Sequence, residues 1–219
     1  LLAVGLGGSV SLGQADGVED ALEFLRNVKN GDVKAAPDKV AVLGGGNTAM
    51  DAAVMAKRLG AKDVYLVYRR SFAEMPAWPA EREKFMASGG HCLILTQPLG
   101  YETDKKGKLT GLKVARTELG EPDASGRRRP VAVPGSESVV RVGMVIEAIG
   151  QEVADEVKQA LKGLAFTRGG LVQTRPDNPF ATSLDKVFAA GDLVNGGTTA
   201  VQGVAEGMQA AQAMGRELE

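Results

Sequence analysis

The sequence of 219 residues predicts an α/β fold in which a parallel sheet carries a small antiparallel β meander and adjoins part of a second α/β domain. Two observations lead to this prediction. First, the apolar runs Lys39–Leu43 and Asp63–Tyr68 flank the helix-forming segment Asn47–Leu59, an alternation typical of a parallel sheet. Second, turn residues separate short strand-like segments between Leu99 and Arg141, as in an antiparallel meander.

The chain before these runs contains a strand, a loop and a helix in the prediction. Leu1–Gly5 is typical of a buried strand, and Ser9–Gly17 of a polar loop rich in glycine. Apolar residues recur at a helical period through Val18–Val28, which predicts a helix packed on the core. The turn Asn30–Asp38 contains Pro37 and indicates a domain boundary.

A glycine loop joins the strand Lys39–Leu43 to the helix that follows it. Gly44, Gly46 and Ala49 fit the dinucleotide fingerprint G-x-G-x-x-A. The first residue allows a tight turn, the second lets backbone approach a pyrophosphate, and the third allows close packing of helix and strand. Free N–H groups and the positive end of the helix dipole then face the diphosphate. We therefore assign the loop and the first helical turn to dinucleotide binding: Gly44, Gly45, Gly46, Asn47, Thr48 and Ala49.

The end of the next strand indicates which dinucleotide binds. In this Rossmann-like arrangement it lies beside the adenosine ribose, where an NAD site usually has an acidic residue. Arg69 and Arg70 stand there instead, and guanidinium groups suit the 2′-phosphate of NADPH. The alternative is a solvated strand end. In the loop Ser71–Pro79, Glu74 and Met75 either cover the bound nucleotide or belong to an ordinary surface loop.

The same patterns predict the rest of the sheet and the meander. A helix is expected at Ala80–Ser88, and strands are expected at His91–Thr96, Leu112–Glu118, Ser138–Val142 and Gly143–Ile149. The turn-rich stretch Gly120–Arg129 ends in a basic cluster that faces solvent or a partner subunit. Ala154–Gly163 then predicts a helix and Leu171–Gln173 a short strand.

Composition and charge exclude several classes of function. A net charge of −1 does not favour nucleic-acid binding, and no apolar run is long enough to span a membrane. The single cysteine, Cys92, and the single histidine, His91, exclude an internal disulfide, a cysteine redox pair, an iron–sulfur cluster and a multi-histidine metal site within these residues. We expect a reducing, cytoplasmic location. Because LLAVGLGG lacks an initiator methionine and the charged region of a signal peptide, we expect a segment of a longer protein.

The second informative stretch lies near the C-terminus. The strand-like run Lys186–Ala190 precedes Gly191-Asp192, a glycine-rich turn at Asn195–Thr199, and an amphipathic helix capped by Thr198 or Thr199. We expect Asp192 to accept a hydrogen bond from a sugar or ribityl hydroxyl, and the helix N-terminus to stabilise negative charge on a ring oxygen. The alternative is an aspartate that caps its own turn. The apolar stripe of the helix consists of Val201, Val204, Ala205, Met208, Ala211 and Leu218.

Several motifs taken together resemble one protein family. They are LGGGNTAMD (43–51), YRR (68–70), EMP (74–76), LGEPDASGRRR (119–129), VIEAIGQ (145–151) and VFAAGDLVNGGTTAVQGVAEG (187–207). On these motifs the chain resembles the C-terminal part of the glutamate synthase small (β) subunit family. Relatives of that family include the flavin domains of dihydropyrimidine dehydrogenase and NADPH–ferredoxin oxidoreductases. The resemblance covers nearly the whole chain.

The resemblance implies a flavoprotein architecture with two dinucleotide-binding domains. Pro37–Gly150 would be the NADPH-binding domain, and Leu1–Ala36 and Gln151–Glu219 would be a linker helix and parts of an FAD domain. Asp192 would hold the ribityl chain of FAD. The residues implied in cofactor binding are Ile149, Gly150, Gly191, Asp192, Thr199, Ala200 and Val201. The first half of the FAD domain and the cysteines of [4Fe–4S] clusters are expected outside the present sequence, so the FAD site in it is incomplete.

The implied activity is electron transfer from NADPH through FAD and iron–sulfur centres to a partner. That partner is the large subunit of glutamate synthase or another electron-accepting protein. The hydride step needs no acid–base residue, and the sequence offers no triad or carboxylate pair. An NADPH–ferredoxin-type oxidoreductase subunit and a non-catalytic NADP-binding module remain alternatives, whereas a disulfide reductase would need a second cysteine. We expect the segment alone to be inactive and colourless, and to form a homodimer through its FAD-half surface.

Overall fold

The structure is a computed structural model that describes residues 1–122 and 126–218. It contains two compact units, one of Ser11–Ile149 and one that combines Leu1–Val10 with the chain from Gly150 onward. The strands are β1 (Gly8–Ser9), β2 (Val18–Asp20), β3 (Lys39–Leu43), β4 (Asp63–Val67), β5 (His91–Leu93), β6 (Thr96–Thr103), β7 (Leu109–Pro122), β8 (Arg128–Ala132), β9 (Ser138–Val140), β10 (Met144–Glu147) and β11 (Gln151–Glu152). The helices are α1 (Ala21–Asn30), α2 (Asn47–Arg58), α3 (Pro79–Ala87), α4 (Asp155–Ala160), α5 (Asp192–Asn195) and α6 (Ala200–Leu218).

A five-stranded sheet forms the centre of the Ser11–Ile149 unit. Its strand order is β2-β10-β3-β4-β5, and all neighbouring strands are parallel. The chain proceeds from β3 to β4 and β5 on one side, whereas β10 and β2 lie on the other side of β3. The strand order therefore changes direction between β3 and β10, and sheets of this kind bind ligands beyond the carboxyl ends of the strands at such a point. The predicted parallel sheet is confirmed.

Helices α1 and α2 contribute to the apolar cluster on one face of this sheet. The fully buried residues of α2 are mostly alanines: Ala49, Met50, Ala52, Ala53 and Ala56. They share the cluster with Val40 and Val42 of β3 and with Val64 of β4. Short side chains let the helix approach the strands closely, and this packing fixes the start of α2 at the end of β3.

The antiparallel meander packs against the sheet through a second apolar cluster. Strand β7 pairs with β6, β8 and β9, always antiparallel, so the predicted meander is confirmed. The cluster consists of Ala41, Leu43, Val67, Leu109, Leu112, Val114, Val142 and Val145. The polar loop expected at Gly120–Arg129 is shorter than predicted, because β7 extends to Pro122 and β8 begins at Arg128. Asp123, Ala124 and Ser125 of the LGEPDASGRRR motif lie outside the described residues.

Residues 11–36 also belong to this unit. The helix that we expected from Val18 begins only at Ala21, because the residues before it form β2 beside β10. Asp20 caps α1, since its carboxylate accepts hydrogen bonds from two backbone N–H groups of the first turn at 2.9 and 3.1 Å. The unit therefore extends upstream of Pro37, where the turn had indicated a boundary.

The second unit has little regular β structure in the described part of the chain. β1 and β11 form a two-residue antiparallel pair. The predictions of strands at Leu1–Gly5, Leu171–Gln173 and Lys186–Ala190 are wrong, because their pairing residues form isolated bridges rather than ladders. Leu2, for example, bridges to Ala189 alone. A small core holds this unit together: Val153, Leu164, Val172, Ala189 and Leu193.

Helix α6 carries the apolar stripe of the sequence on an exposed side. Val201, Val204 and Met208 are 80%, 66% and 65% exposed, whereas Ala210 is fully buried. The side chain of Leu218, at the end of the stripe, lies outside the described residues. The stripe is therefore part of the surface of this unit.

Candidate functional site

The candidate site is built around the glycine loop at the carboxyl end of β3. Gly44 has a φ of +128°, and a Cβ on it would stand 2.3 Å from the carbonyl oxygen of Ala148, just after β10. Its N–H donates to the carbonyl oxygen of Val67 at 3.0 Å. Gly44 follows β3, which lies between β10 and β4 in the sheet. No side chain fits at this position, so it requires glycine.

The other two glycines of the loop have different surroundings. A Cβ on Gly45 would meet the ring of Tyr68 at 2.6 Å, so the lack of a side chain lets this ring pack against the loop. A Cβ on Gly46 would meet nothing within 4 Å. Gly46 therefore borders open space, where a ligand can approach the backbone closely.

Helix α2 begins at this open side with unused hydrogen-bond donors. Among the described residues, no acceptor pairs with the backbone N–H of Gly46, Asn47 or Thr48. The first turn contains no acidic residue, and no side chain caps it. Because the positive end of the helix dipole is not neutralised, the loop fits a pyrophosphate, which takes several N–H donors. Ala49 is fully buried and allows the close packing that places these donors.

The two arginines after β4 have different environments. Arg69 is exposed, and its carbonyl oxygen accepts a hydrogen bond from the hydroxyl of Thr117 at 2.8 Å. Arg70 is 7% exposed, and its Nε donates to the carbonyl oxygen of Arg128 in β8 at 2.8 Å. Arg70 therefore attaches the meander to the end of β4. The guanidinium group of Arg69 is the one that a ligand can reach from solvent.

The segment after these arginines returns to the glycine loop. The N–H of Ala77 donates to the carbonyl oxygen of Gly45 at 2.9 Å. The N–H of Trp78 donates to Oδ1 of Asn47, in the first turn of α2, at 3.1 Å. The segment 71–78 is therefore fixed beside the open side of the loop, a contact that the sequence did not predict.

Internal hydrogen bonds give this segment its shape. The hydroxyl and the N–H of Ser71 donate to the carboxylate of Glu74 at 2.5 and 3.1 Å, and the hydroxyl of Tyr68 donates to the Glu74 carbonyl oxygen at 2.8 Å. The hydrogen bond from the Ser71 hydroxyl holds the pKa of the Glu74 carboxyl below its ordinary value. Met75 is buried in the apolar cluster shared by the sheet and α2. These hydrogen bonds and the burial of Met75 hold the segment 71–78 in place, and the segment in turn supports the glycine loop.

A buried acid that sequence reasoning missed lies at the carboxyl end of β10. Glu147 is 5% exposed and accepts hydrogen bonds from the hydroxyl of Tyr101 and, at 2.8 Å, from the N–H of Leu12. Burial, together with the hydrogen bond to Glu147, raises the pKa of Tyr101 far above its ordinary value. Glu147 thereby links β10 to the meander and to the chain before β2. A charged residue inside the apolar run GMVIEAI is the signal that could have indicated it.

Ile149 and Gly150 follow this strand end. Ile149 packs, partly buried, on the cluster between the sheet and the meander. Gly150 has a φ of +141°, a backbone conformation that side chains rarely allow, and its carbonyl oxygen accepts the N–H of Val10 at 3.1 Å. The chain therefore leaves the Ser11–Ile149 unit immediately beyond the candidate site.

In the second unit, Asp192 is the first residue of α5. Its Oδ1 accepts a hydrogen bond from the N–H of Thr198 at 3.4 Å, across the glycine-rich turn. This contact is of the kind made by an aspartate that caps its own turn. Within the part of the chain that the structure describes, Oδ2 of Asp192 has no hydrogen bond, so it can accept one from a ligand.

Glu206 of α6 holds the turn around Asp192 and was also missed. Its carboxylate accepts hydrogen bonds from the N–H of Gly191 at 3.0 Å, from Nδ2 of Asn195 at 3.0 Å and from Nε2 of Gln202 at 3.1 Å. These hydrogen bonds, that from Gln202 foremost, lower the pKa of Glu206. The spacing of four residues between Gln202 and Glu206 is the sequence signal for such a pair on a helix.

Thr199 caps α6 at the other side of the turn. Its hydroxyl accepts the N–H of Gln202 at 3.2 Å, and its carbonyl oxygen accepts the N–H of Gly203 at 3.0 Å. Ala200 and Val201 begin the helix, and both are exposed. The first turn of α6 is therefore accessible to a ligand.

The donors and acceptors of these loops are backbone groups, hydroxyls, amides, arginines and carboxylates. Within residues 1–122 and 126–218, no group of three or more His, Cys, Asp or Glu side chains could hold a metal ion. Over the same described ranges, every helix is too short or too polar to cross a membrane.

Comparison with known proteins identifies relatives of the chain. The family model described as pyridine nucleotide-disulphide oxidoreductase matches residues 1–215. The chain is 40% identical to the NADP(+)-dependent formate dehydrogenase subunit beta of Moorella thermoacetica, covering 96% of this chain and 30% of that protein. It is 39% identical to the glutamate synthase [NADPH] small chain of Escherichia coli, covering 94% and 46%. The resemblance to the glutamate synthase small subunit family is confirmed.

Solved structures support the same fold. FprA of Mycobacterium tuberculosis in complex with NADPH superposes with a TM-score of 0.75 at 16% identity, covering 99% of this chain and 63% of that one. Thioredoxin reductase of T. acidophilum gives a TM-score of 0.70 at 17% identity, covering 99% and 65%. The chain thus spans less than two thirds of these proteins and between 30% and 46% of the two curated relatives.

Proposed function

The chain belongs to the pyridine nucleotide-disulphide oxidoreductase family, one of NAD(P)H-dependent flavoprotein oxidoreductases, and we propose that it binds NADPH on the Gly44–Ala49 loop. The observation that carries this proposal is the open side of Gly46 together with the N–H groups of Gly46, Asn47 and Thr48, none of which has an acceptor among the described residues. The NADPH-binding domain of the proposal is Pro37–Gly150, nearly all of which lies in the Ser11–Ile149 unit. The remaining chain is part of an FAD domain.

Arg69 and Arg70 select NADPH over NADH in this proposal. Arg69 is exposed and can pair directly with the 2′-phosphate, which a planar guanidinium binds well. Arg70 adds positive charge, and its hydrogen bond to β8 keeps the strand end in place. Met75 supports the loop from the core, and Ile149 and Gly150 lie where the chain continues toward the flavin-binding part.

The FAD-binding residues of the proposal surround the turn after Gly191. Asp192 would accept a hydrogen bond from the ribityl chain through Oδ2, and Glu206 holds that turn by accepting hydrogen bonds from the N–H of Gly191 and from Nδ2 of Asn195. The exposed first turn of α6, from Thr199 through Ala200 to Val201, would face the flavin ring, and the dipole at its N-terminus would favour negative charge there. The chain contributes this part of the FAD site, and residues outside the present sequence complete it.

In this proposal the chain's own residues position the cofactors and stabilise negative charge on them. They transfer no protons. When bound, NADPH supplies a hydride that FAD accepts, and FAD can release electrons one at a time. The loop and Arg69 hold the nucleotide, and the turn around Asp192 orients the flavin.

In this proposal, [4Fe–4S] clusters held outside the present sequence would carry the electrons on to a partner. We propose the large subunit of a glutamate synthase or another electron-accepting protein in a cytoplasmic complex, because the relatives include subunits of glutamate synthase and formate dehydrogenase. Similarity to the NADPH-Fe(3+) oxidoreductase subunit beta of Geobacter sulfurreducens, at 37% identity, favours an NADPH–ferredoxin-type subunit as the alternative. A non-catalytic NADP-binding module would bind NADPH without FAD. A homodimer through the second unit belongs to the proposal and is testable by light scattering.

Calorimetric titration with NADPH and NADH tests the central proposal. We expect wild type to prefer NADPH, and Arg69→Ala to lose about 1.5–3 kcal/mol of NADPH binding, as for a hydrogen bond between charged groups, while NADH binding stays unchanged. Arg168→Ala is the matched control, because it removes an exposed arginine from the other unit. Equal affinity of wild type for both nucleotides would contradict the proposed preference, and no binding of either would contradict the site.

A further inference from the structure

Trp78 presents a large apolar surface next to the glycine loop. It is the single tryptophan of the sequence, and 63% of the residue is exposed. Phe72, in the same segment, is 38% exposed and lies under the guanidinium group of Arg82, whose carbon is 5.8 Å from the ring centroid. Exposed tryptophans gain stabilisation when a ligand covers them, since the indole combines a wide apolar face with a polar edge.

The backbone that carries this indole is held rigidly against the loop. The N–H of Trp78 donates to Oδ1 of Asn47, and the N–H of Ala77 donates to the carbonyl oxygen of Gly45. Pro79 follows as the first residue of α3, and its ring fixes its own φ. Binding therefore needs little ordering of the main chain at this position, which favours affinity.

The attachment to Asn47 determines what the indole can reach. Gly46, Asn47 and Thr48 carry the N–H groups without acceptors among the described residues, so the pyrophosphate of a dinucleotide is expected at this turn. Because the backbone N–H of Trp78 is bonded to the same turn, the indole starts within a side chain's length of the groups expected next to that pyrophosphate. The side chain of Asn47 thus couples the ligand-binding turn to the tryptophan.

We propose that the Trp78 indole packs against the dinucleotide bound on the Gly44–Ala49 loop and forms one wall of its site. This inference rests on the proposed function, because it takes the dinucleotide to be the ligand. The indole contacts a part that NADPH and NADH share, whereas Arg69 contacts the 2′-phosphate. Trp78 therefore raises the affinity for both nucleotides, whereas Arg69 raises the ratio of the affinity for NADPH to the affinity for NADH.

Tryptophan emission tests the contact directly, because Trp78 is its single source. The full chain is titrated with NADP⁺ while emission is recorded, and calorimetry measures the affinity independently. We expect emission to change with the midpoint that calorimetry gives. We also expect saturating NADP⁺ to protect the indole from quenching by acrylamide by about threefold or more, as burial of an aromatic face requires.

Four variants separate a contact of the indole with the ligand from a merely structural role of Trp78. Trp78→Ala should weaken NADP⁺ binding by roughly three- to tenfold, and Trp78→Phe should restore most of the affinity, because an aromatic face remains. Phe72→Ala, the matched loss of an exposed aromatic in the same segment, should leave affinity within about twofold. In Arg69→Ala, the emission change should persist at higher NADP⁺ concentration.

The outcomes distinguish this inference from the proposed function. NADP⁺ binding with unchanged emission and unchanged acrylamide quenching would overturn the contact and leave the NADPH site standing. Equal affinity of wild type and Trp78→Ala would do the same. Absence of NADP⁺ binding to wild type in calorimetry would overturn the proposed function and this inference together.

Discussion

The glycine loop yields a paired experiment, because two glycines two residues apart should fail in opposite ways. Gly44→Ala places a methyl group 2.3 Å from the Ala148 carbonyl oxygen at a φ of +128°. A residue with a Cβ costs about 1–2 kcal/mol in this region of positive φ, and the backbone shift that relieves the close contact costs a further ~1–3 kcal/mol. The free energy of unfolding should therefore fall by roughly 2–5 kcal/mol, which lowers Tm by about 5–20 °C for a chain of this size.

Gly46→Ala should leave stability nearly unchanged and impair binding. The added methyl meets no atom within 4 Å and the φ of −88° suits any residue, so the change in stability should stay within about 0.5 kcal/mol. In the proposed site, the same methyl would occupy the space expected for the pyrophosphate and remove hydrogen bonds to a charged ligand, which would cost roughly 1.5–3 kcal/mol of binding, a tenfold to hundredfold weaker Kd.

Differential scanning calorimetry and NADP⁺ titration of both variants decide the matter. The expected pattern is a lower Tm for Gly44→Ala with a normal Tm for Gly46→Ala, and weak binding in the latter. A Gly46→Ala protein that binds NADP⁺ as well as wild type would refute the assignment of the open side to the pyrophosphate. A Gly44→Ala protein with the Tm of wild type would refute the reasoning from close contact.

Two further outcomes follow from buried and capping groups, and a third follows from the incomplete FAD site. Folding raises the pKa of Tyr101, so the contribution of this residue to the free energy of unfolding is complete below the unfolded pKa of about 10 and is lost at higher pH. Urea titrations should show this loss in wild type and less of it in Tyr101→Phe. Because folding lowers the pKa of Glu206, its contribution is present above about pH 4.3 and is lost on acidification, and Glu206→Ala should speed hydrogen exchange at the Gly191 N–H. The purified chain should show no flavin absorbance, and a stoichiometric flavin spectrum would contradict the incomplete FAD site.

The sequence predicted the elements that repeat a strong local pattern. Lys39–Leu43, the glycine loop and the helix from Asn47 were recognisable because an apolar strand, three glycines and an alanine-rich helix occur in direct succession. Val18 was assigned to a helix because its periodicity continues into α1, and only pairing with β10 makes it a strand residue. Pairing across a long stretch of sequence leaves no local signal.

The features of the site divide in the same way, into those with a local sequence pattern and those that depend on contacts between separate segments. The open side of Gly46 follows from the fingerprint, whereas the different environments of Arg69 and Arg70 depend on where β8 passes. Glu147 and Glu206 act through partners distant in sequence or on another element. Trp78 was passed over because its contact with Asn47 crosses from one loop to another. Each of these contacts joins separate elements or loops, so only the three-dimensional structure reveals it.

The discontinuity of the second unit has a consequence for the order in which the chain folds. Its first and last segments meet where Leu2 bridges to Ala189, with Ser11–Ile149 between them in the sequence. Closing an unfolded loop of that length is unfavourable, and each doubling of loop length adds about 0.6 kcal/mol. The intervening unit has its own core and its own sheet, so it can form first and shorten the flexible path. We therefore expect sequential kinetics, in which burial of the Tyr101 environment precedes formation of the contacts around Leu2.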